Sequence, residues 1–176
     1  MTQEEFVRQV EANEGIIQKI CRLYAQTRPD REDLFQEIIV QLWKSVPKFQ
    51  GQSKFSTWVY RVALNTAISD FRKKKRSVPV SSTEGASIEI GQEPGNDIEK
   101  HDQADVLYAA IRQLPEIDKA IVMLYLEDKS YEEMEDILGI NNNNLRVKMN
   151  RIKEKLRQLT KNISYGTWWT EKYMER

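Results

Sequence analysis

Asn143, Asn144, Arg146, Lys148, Asn150 and Arg151 stand within a few residues of one another near the end of the chain. All can grip a nucleic acid. Arg forks to a guanine edge, Asn to an adenine edge, and Lys reaches guanine or phosphate. Further along, Arg151, Lys155 and Arg157 suit phosphates, which hold register without reading sequence. A second cationic set, FRKKKR, contains Arg72, Lys73 and Lys74, with Arg61, Asn65 and Asp70 on the same broad side upstream. It reads either as a solvated helix end matched to the helix dipole or as a contact for a phosphate backbone. A third set, Asp33 and Glu37, lies i, i+4 apart. Such a pair could chelate a metal, form an ordinary acidic surface or dock a partner. No His or Cys lies near it, and the sole His101 is in a distant polar stretch. Nucleophile–base pairings, phosphate-cradling glycine loops and zinc-ligand spacings are missing, so no catalysis, cofactor or metal is expected.

The elements that must carry these groups are helices. With 40% hydrophobic and 31% charged residues but only 7 Gly and 5 Pro among 176, the chain suits packed cores under well-solvated helical surfaces. Phe6, Val10, Ile16, Ile17, Ile20, Leu23 and Tyr24 fall largely at helical spacing, and Gly15 marks a bend or break. A second helix begins after Pro29 and Asp30, with Glu32 and Asp33 in its first turn. Its stripe is Leu34, Ile38, Leu42 and Val46, widened by Phe35, Ile39 and Trp43, and Pro47 ends it. A third runs from about Ser53 to Arg76, with Phe55, Trp58, Val59, Val62, Ala63 and Ala67 inward.

Residues 77–104 lose this pattern: they are rich in Ser, Gly, Pro and acids and too poor in apolar groups to offset their ordering entropy. A flexible acidic linker is expected there. Periodicity returns at Val106, Leu107, Ala110, Ile111 and Leu114, and again from about Ile117 to Leu126. The fold class that follows is all-α, with two small helical domains over 1–76 and 105–161 and an aromatic tail over 162–176. The tail holds Trp168 and Trp169 and either packs back on the second domain or offers a contact.

The stretch 129–159 specifies a helix-turn-helix. Ser130 and Glu133 form a capping box for the short helix YEEMEDIL, which turns Tyr131, Met134, Ile137 and Leu138 inward. Gly139 takes the left-handed stop, Ile140 plugs the turn, and Asn141 or Asn142 caps the next helix. That helix buries Leu145, Met149, Ile152 and Leu156, leaving a basic outer face whose first turns can meet base edges in a major groove.

Net charge is zero, 27 basic against 27 acidic residues, which alone would argue against a nucleic-acid partner. The sum hides a bipartite pattern. Between Lys44 and Arg76 the cations face only Asp70, and between Arg146 and Lys161 only Glu154, while Glu84 to Asp105 is strongly acidic. Cys21 is the sole cysteine, which excludes an intrachain disulfide and suits a reducing compartment. The N-terminal MTQEEFVRQVEANEG lacks a signal-peptide pattern, and no apolar run approaches the roughly 20 residues of a bilayer span. A cytoplasmic protein without direct membrane insertion is expected.

Two segments together resemble the extracytoplasmic-function (ECF) sigma factors of bacterial RNA polymerase, over roughly residues 6 to 160. DLFQEIIVQLWKSVPKFQGQSKFSTWVYRVALNTAISDFRKKKR, Asp33 to Arg76, is similar to region two, with F-x-T-W-x-x-R-x-x-x-N and D-x-x-R-K inside it. LPEIDKAIVMLYLEDKSYEEMEDILGINNNNLRVKMNRIKEKLRQL, Leu114 to Leu159, resembles region four. The wording LRVKMNRIKEKL is similar to that of Bacteroidetes-like members.

The resemblance implies that Asp33, Gln36 and Glu37 dock on core RNA polymerase, which favours docking over chelation. It implies that the loop from Gln50 to Ser56 captures a flipped minus-ten base, recovering part of an unstacking cost of a few kcal/mol. Arg61 and Asn65 would line that site, and Arg72, Lys73 and Lys74 would hold the nearby backbone. Arg146, Lys148 and Arg151 would read the minus-thirty-five element of promoter DNA. Val147 and Asn150 depart from other members, so the sequence preference does not carry over. Trp58 suits core packing better than base stacking. An anti-sigma factor, often membrane-bound in the family, is implied as a further partner. The alternatives are a stand-alone helix-turn-helix transcription regulator and, more distantly, a metal-dependent nuclease using Asp33, Glu37 and Asp70.

Overall fold

The computed structural model describes residues 1–77 and 107–160, and these form helices and their connections only. The segment 78–106 and the residues beyond 160 lie outside the described residues. With them go the expected linker and the tail of Trp168 and Trp169. No helix among the described residues is long and apolar enough to cross a membrane.

Helix α1 (Gln3–Ala12) starts on a capping box, in which the Glu5 amide donates to Thr2 Oγ1 at 3.2 Å and the Thr2 amide to Glu5 Oε2 at 2.8 Å. Helix α2 (Glu14–Tyr24) follows after a break at Asn13, two residues before the glycine expected to mark it. The break sits there because the Asn13 amide nitrogen Nδ2 donates to the Gln9 carbonyl at 2.7 Å and so closes the end of α1. Gly15 is an ordinary helical residue inside α2. Helix α3 (Arg28–Ser45) begins earlier than the Pro29–Asp30 signal suggests. Thr27 is its cap, accepting from the Asp30 amide at 3.3 Å, and Pro29 occupies the first turn, where no N–H is needed. A 3₁₀ turn over Val46–Lys48 contains Pro47 and ends the element. Helix α4 (Phe55–Ser77) completes this group.

The four helices close on Ile17, Ile20, Leu34, Ile38, Leu42 and Leu64, all essentially without solvent contact. Trp43 departs from its expected place in the α3 stripe. It is 49% exposed and stacks edge-on against Phe6, with centroids 5.0 Å apart. Burial also pushes the Cys21 thiol up to about 11.

The second group comprises α5 (residues 107–112), α6 (Glu116–Leu126), α7 (Tyr131–Leu138) and α8 (Asn142–Thr160). The Ser130–Glu133 capping box is formed, with bonds of 3.2 and 3.0 Å. Gly139 takes φ +67°, the left-handed conformation that an L side chain resists. A Cβ there would meet open space, so the penalty of Gly139→Ala is conformational only. We expect that substitution to lower stability by about 1 kcal/mol and Gly139→Asn by less, since Asn tolerates this backbone. Thermal denaturation of the two variants checks the order.

The two groups touch along α4, which packs on α6 and α7. The Tyr24 hydroxyl donates to the Glu116 carbonyl at 2.6 Å, and Lys19 pairs with Glu127 at 2.6 Å. The ammonium of Lys119, a residue only 4% exposed, lies over Phe71 at 4.7 Å and Tyr24 at 5.9 Å. Burial pulls its pKa below the usual lysine value.

Candidate nucleic-acid interface

Helix α8 buries Leu145, Met149, Ile152 and Leu156 against the rest of its group, as its spacing requires. The opposite side is left to solvent. Asn141 is the cap, its Oδ1 accepting from the Asn144 amide at 3.2 Å. Asn143, Asn144, Arg146, Asn150 and Arg151 are all exposed. Lys148 behaves differently, being half-buried on the flank and 3.7 Å from Asp118 of α6. The geometry thus turns Lys148 towards its own domain, away from the outward row. Val147, which sequence reasoning left out of the interface, is 50% exposed between Asn143 and Arg151. An apolar group there is a match for a thymine methyl.

Helix α4 presents Arg61 and, one turn on, Asn65, both exposed. Arg61 is not turned to solvent alone. Its Nε donates to the Asp136 carbonyl at 2.9 Å, and Nη2 donates to the same oxygen. That carbonyl lies in the last turn of α7, where backbone acceptors lack helical partners and carry partial negative charge. Arg72 and Lys73 are exposed near the end of α4, whereas Lys74 is held by Asp70 at 3.2 Å and Asp30 at 3.1 Å. The hydrogen bond from Thr27, and after it the one from Lys74, holds the Asp30 carboxyl below its usual range. Beside the N-terminus of α4, Phe49, Phe55 and Trp58 form a three-ring cluster with centroids 5.1 to 5.5 Å apart. Trp58 is 9% exposed and fills the core side of that cluster. Gly51, at φ +70°, turns the loop that leads into it.

Helix α3 places Asp33, Gln36 and Glu37 on one exposed side, around Val40, which is 42% exposed. The Glu37 carboxylate accepts from Gln41 Nε2 at 2.7 Å. Among the described residues, no three His, Cys, Asp or Glu side chains converge as metal ligands would. Acids surrounding an apolar group form a surface suited to a protein partner.

Two family models match this chain in the order of its two helical groups. Residues 9–77 match Sigma-70 region 2, and residues 104–156 match Sigma-70, region 4. The ECF RNA polymerase sigma factor SigW of Bacillus subtilis is 26% identical over 171 residues, covering 92% of this chain and 91% of that protein. The chain belongs to the ECF sigma factors. The ECF RNA polymerase sigma-E factor of Escherichia coli is 28% identical over 148 residues, 77% of this chain and 78% of its own. The sigma factor RpoE, in a co-crystal with the anti-sigma factor NepR from Bartonella quintana, shares the fold with a TM-score of 0.69 at 20% identity. It covers 91% of this chain and 99% of that one. CnrH, solved with the cytosolic domain of CnrY, gives 0.66 at 18% identity, covering 93% and 92%.

A sigma factor binds core RNA polymerase, recognises the minus-ten and minus-thirty-five elements and starts transcription. In this sigma factor the α3 and α4 surfaces fall within the region 2 match and the α8 surface within the region 4 match. The region 2 match is what separates it from a stand-alone helix-turn-helix regulator.

Proposed function

We propose that the sigma factor divides its labour between a polymerase-and-minus-ten domain over 1–76 and a minus-thirty-five domain over 105–161. Asp33, Gln36 and Glu37 dock on core polymerase. Arg61 and Asn65 line the site for the melted minus-ten strand, and Arg72, Lys73 and Lys74 steady its backbone. Asn143, Asn144, Arg146, Asn150 and Arg151 face the minus-thirty-five duplex, with Lys148 reaching it only by releasing Asp118. The observation that carries this reading is the outward row on α8, exposed throughout while its apolar counterpart is wholly buried.

Neither grip has to be tight alone. Held on polymerase, the second contact becomes effectively intramolecular, which can add orders of magnitude in avidity. Arg61 is spent on the Asp136 carbonyl in this arrangement, so its DNA contact requires α7 to move off α4. The chain performs no catalysis of its own and works in the cytoplasm. An anti-sigma factor is a fitting partner, since the similar sigma factor RpoE was solved in complex with the anti-sigma factor NepR.

Run-off transcription with purified core polymerase tests the assignment. Arg61→Ala and Asn65→Ala are expected to cut open-complex formation by roughly tenfold each, as loss of a hydrogen bond to a charged or desolvated group implies. Duplex minus-thirty-five binding by the holoenzyme should be unchanged. Equal loss of both would refute the division.

A further inference from the structure

Arg146 is exposed, yet its guanidinium is held on two sides. Its central carbon lies 4.5 Å from the centre of the Tyr131 ring, and Nε donates to Asn142 Oδ1 at 2.8 Å. Asn142 is fixed in turn: Nδ2 donates to Glu132 Oε1 at 2.9 Å, and its backbone amide to Glu135 Oε2 at 3.1 Å. Tyr131, Glu132 and Glu135 all belong to α7, so the first helix of the motif holds the side chain that projects from the second. The ring occupies one face of the guanidinium and Asn142 occupies Nε. The donors that remain are those of Nη1 and Nη2, the paired edge that suits guanine O6 and N7.

We infer that Tyr131 and Asn142 are positioning residues that hold Arg146 ready to read a base pair of the minus-thirty-five element, so that α7 sets the specificity of α8. The inference rests on the base-reading role proposed for Arg146. A loose arginine would have many rotamers to lose on meeting DNA, and a stacked, anchored one has few. Tyr131 is also half-buried and packs against the hydrophobic core, which restrains its ring.

The test uses the full chain assembled with core polymerase on a library of promoters randomised at the minus-thirty-five element, with transcripts sequenced. Arg146→Ala first identifies the base pair it reads, as the position where preference collapses. Tyr131→Phe, which keeps the ring, should leave preference there within about twofold of the parent, while Tyr131→Leu should lower it about fivefold, the scale of an exposed cation–π contact. Asn142→Ala should lower it similarly without touching the core, and it carries the test should Tyr131→Leu fail to fold. Combined with Arg146→Ala, neither substitution should lower preference further. The inference is overturned if Tyr131→Leu and Asn142→Ala depress all promoters evenly, if Tyr131→Phe is as damaging as Tyr131→Leu, or if the losses add to that of Arg146→Ala. A library profile unchanged by Arg146→Ala itself would instead remove the base-reading role beneath it, a distinct failure seen before Tyr131 is altered.

Discussion

Glu37→Lys is expected to weaken binding of core polymerase by roughly 100-fold while leaving helix content and melting temperature nearly unchanged, since like-charge contacts at an interface cost several kcal/mol. Glu37 is exposed on α3 between Asp33 and Val40, and its one described hydrogen bond is to the neighbouring Gln41. Nothing in the core leans on it. Exposed substitutions of this kind move stability by about 0.5 kcal/mol or less, so lost binding would report the interface alone. Competition against a labelled sigma factor for core polymerase measures it. Undiminished binding would mean that α3 docks through another side or not at all.

The second large effect is expected from Arg146→Ala combined with Arg151→Ala. Transcription from promoters that depend on a minus-thirty-five element should fall roughly 100-fold, by loss of a base fork of about 1–3 kcal/mol together with a phosphate contact. Both arginines are exposed, and the buried row of Leu145, Met149, Ile152 and Leu156 is untouched, so α8 should stay folded. Core binding should survive. Arg151→Ala alone should weaken holoenzyme binding evenly across sequences and reduce its salt slope by about one, whereas Arg146→Ala should relax preference at one base pair. Parallel transcription and core-binding measurements decide the matter. Loss of core binding by the double variant would contradict the separation of the two grips.

What could be read directly from the residues is what short-range chemistry dictates. The Ser130–Glu133 box, the left-handed Gly139 and the cap of α8 each involve groups a few residues apart. The first two formed where the sequence placed them, and of the two cap candidates, Asn141 and Asn142, the structure uses Asn141. The buried row of α8 followed from spacing alone. Contacts across long separations were not legible. No local signal pairs Lys148 with Asp118, or carries Arg61 to the Asp136 carbonyl, because those depend on how α8 meets α6 and how α4 meets α7. The break at Asn13 was missed because glycine is the stronger punctuator by type, while a side-chain bond to Gln9 decided the position. Val40 and Val147 fall outside the periodic rows and carry no polar group to mark them as contacts, so only the structure shows them as apolar groups on outward faces. Trp43 went astray because periodicity treats apolar residues as core, whereas it is half open to solvent beside Phe6.

The separation of two weak DNA grips that act only on polymerase is tested most directly by footprinting a cognate promoter with the purified chain, with core polymerase and with both. Continuous protection from the minus-thirty-five to the minus-ten element is expected only when both are present. A clear footprint by the chain alone at the same concentration, or no association with core polymerase at low salt, would contradict it.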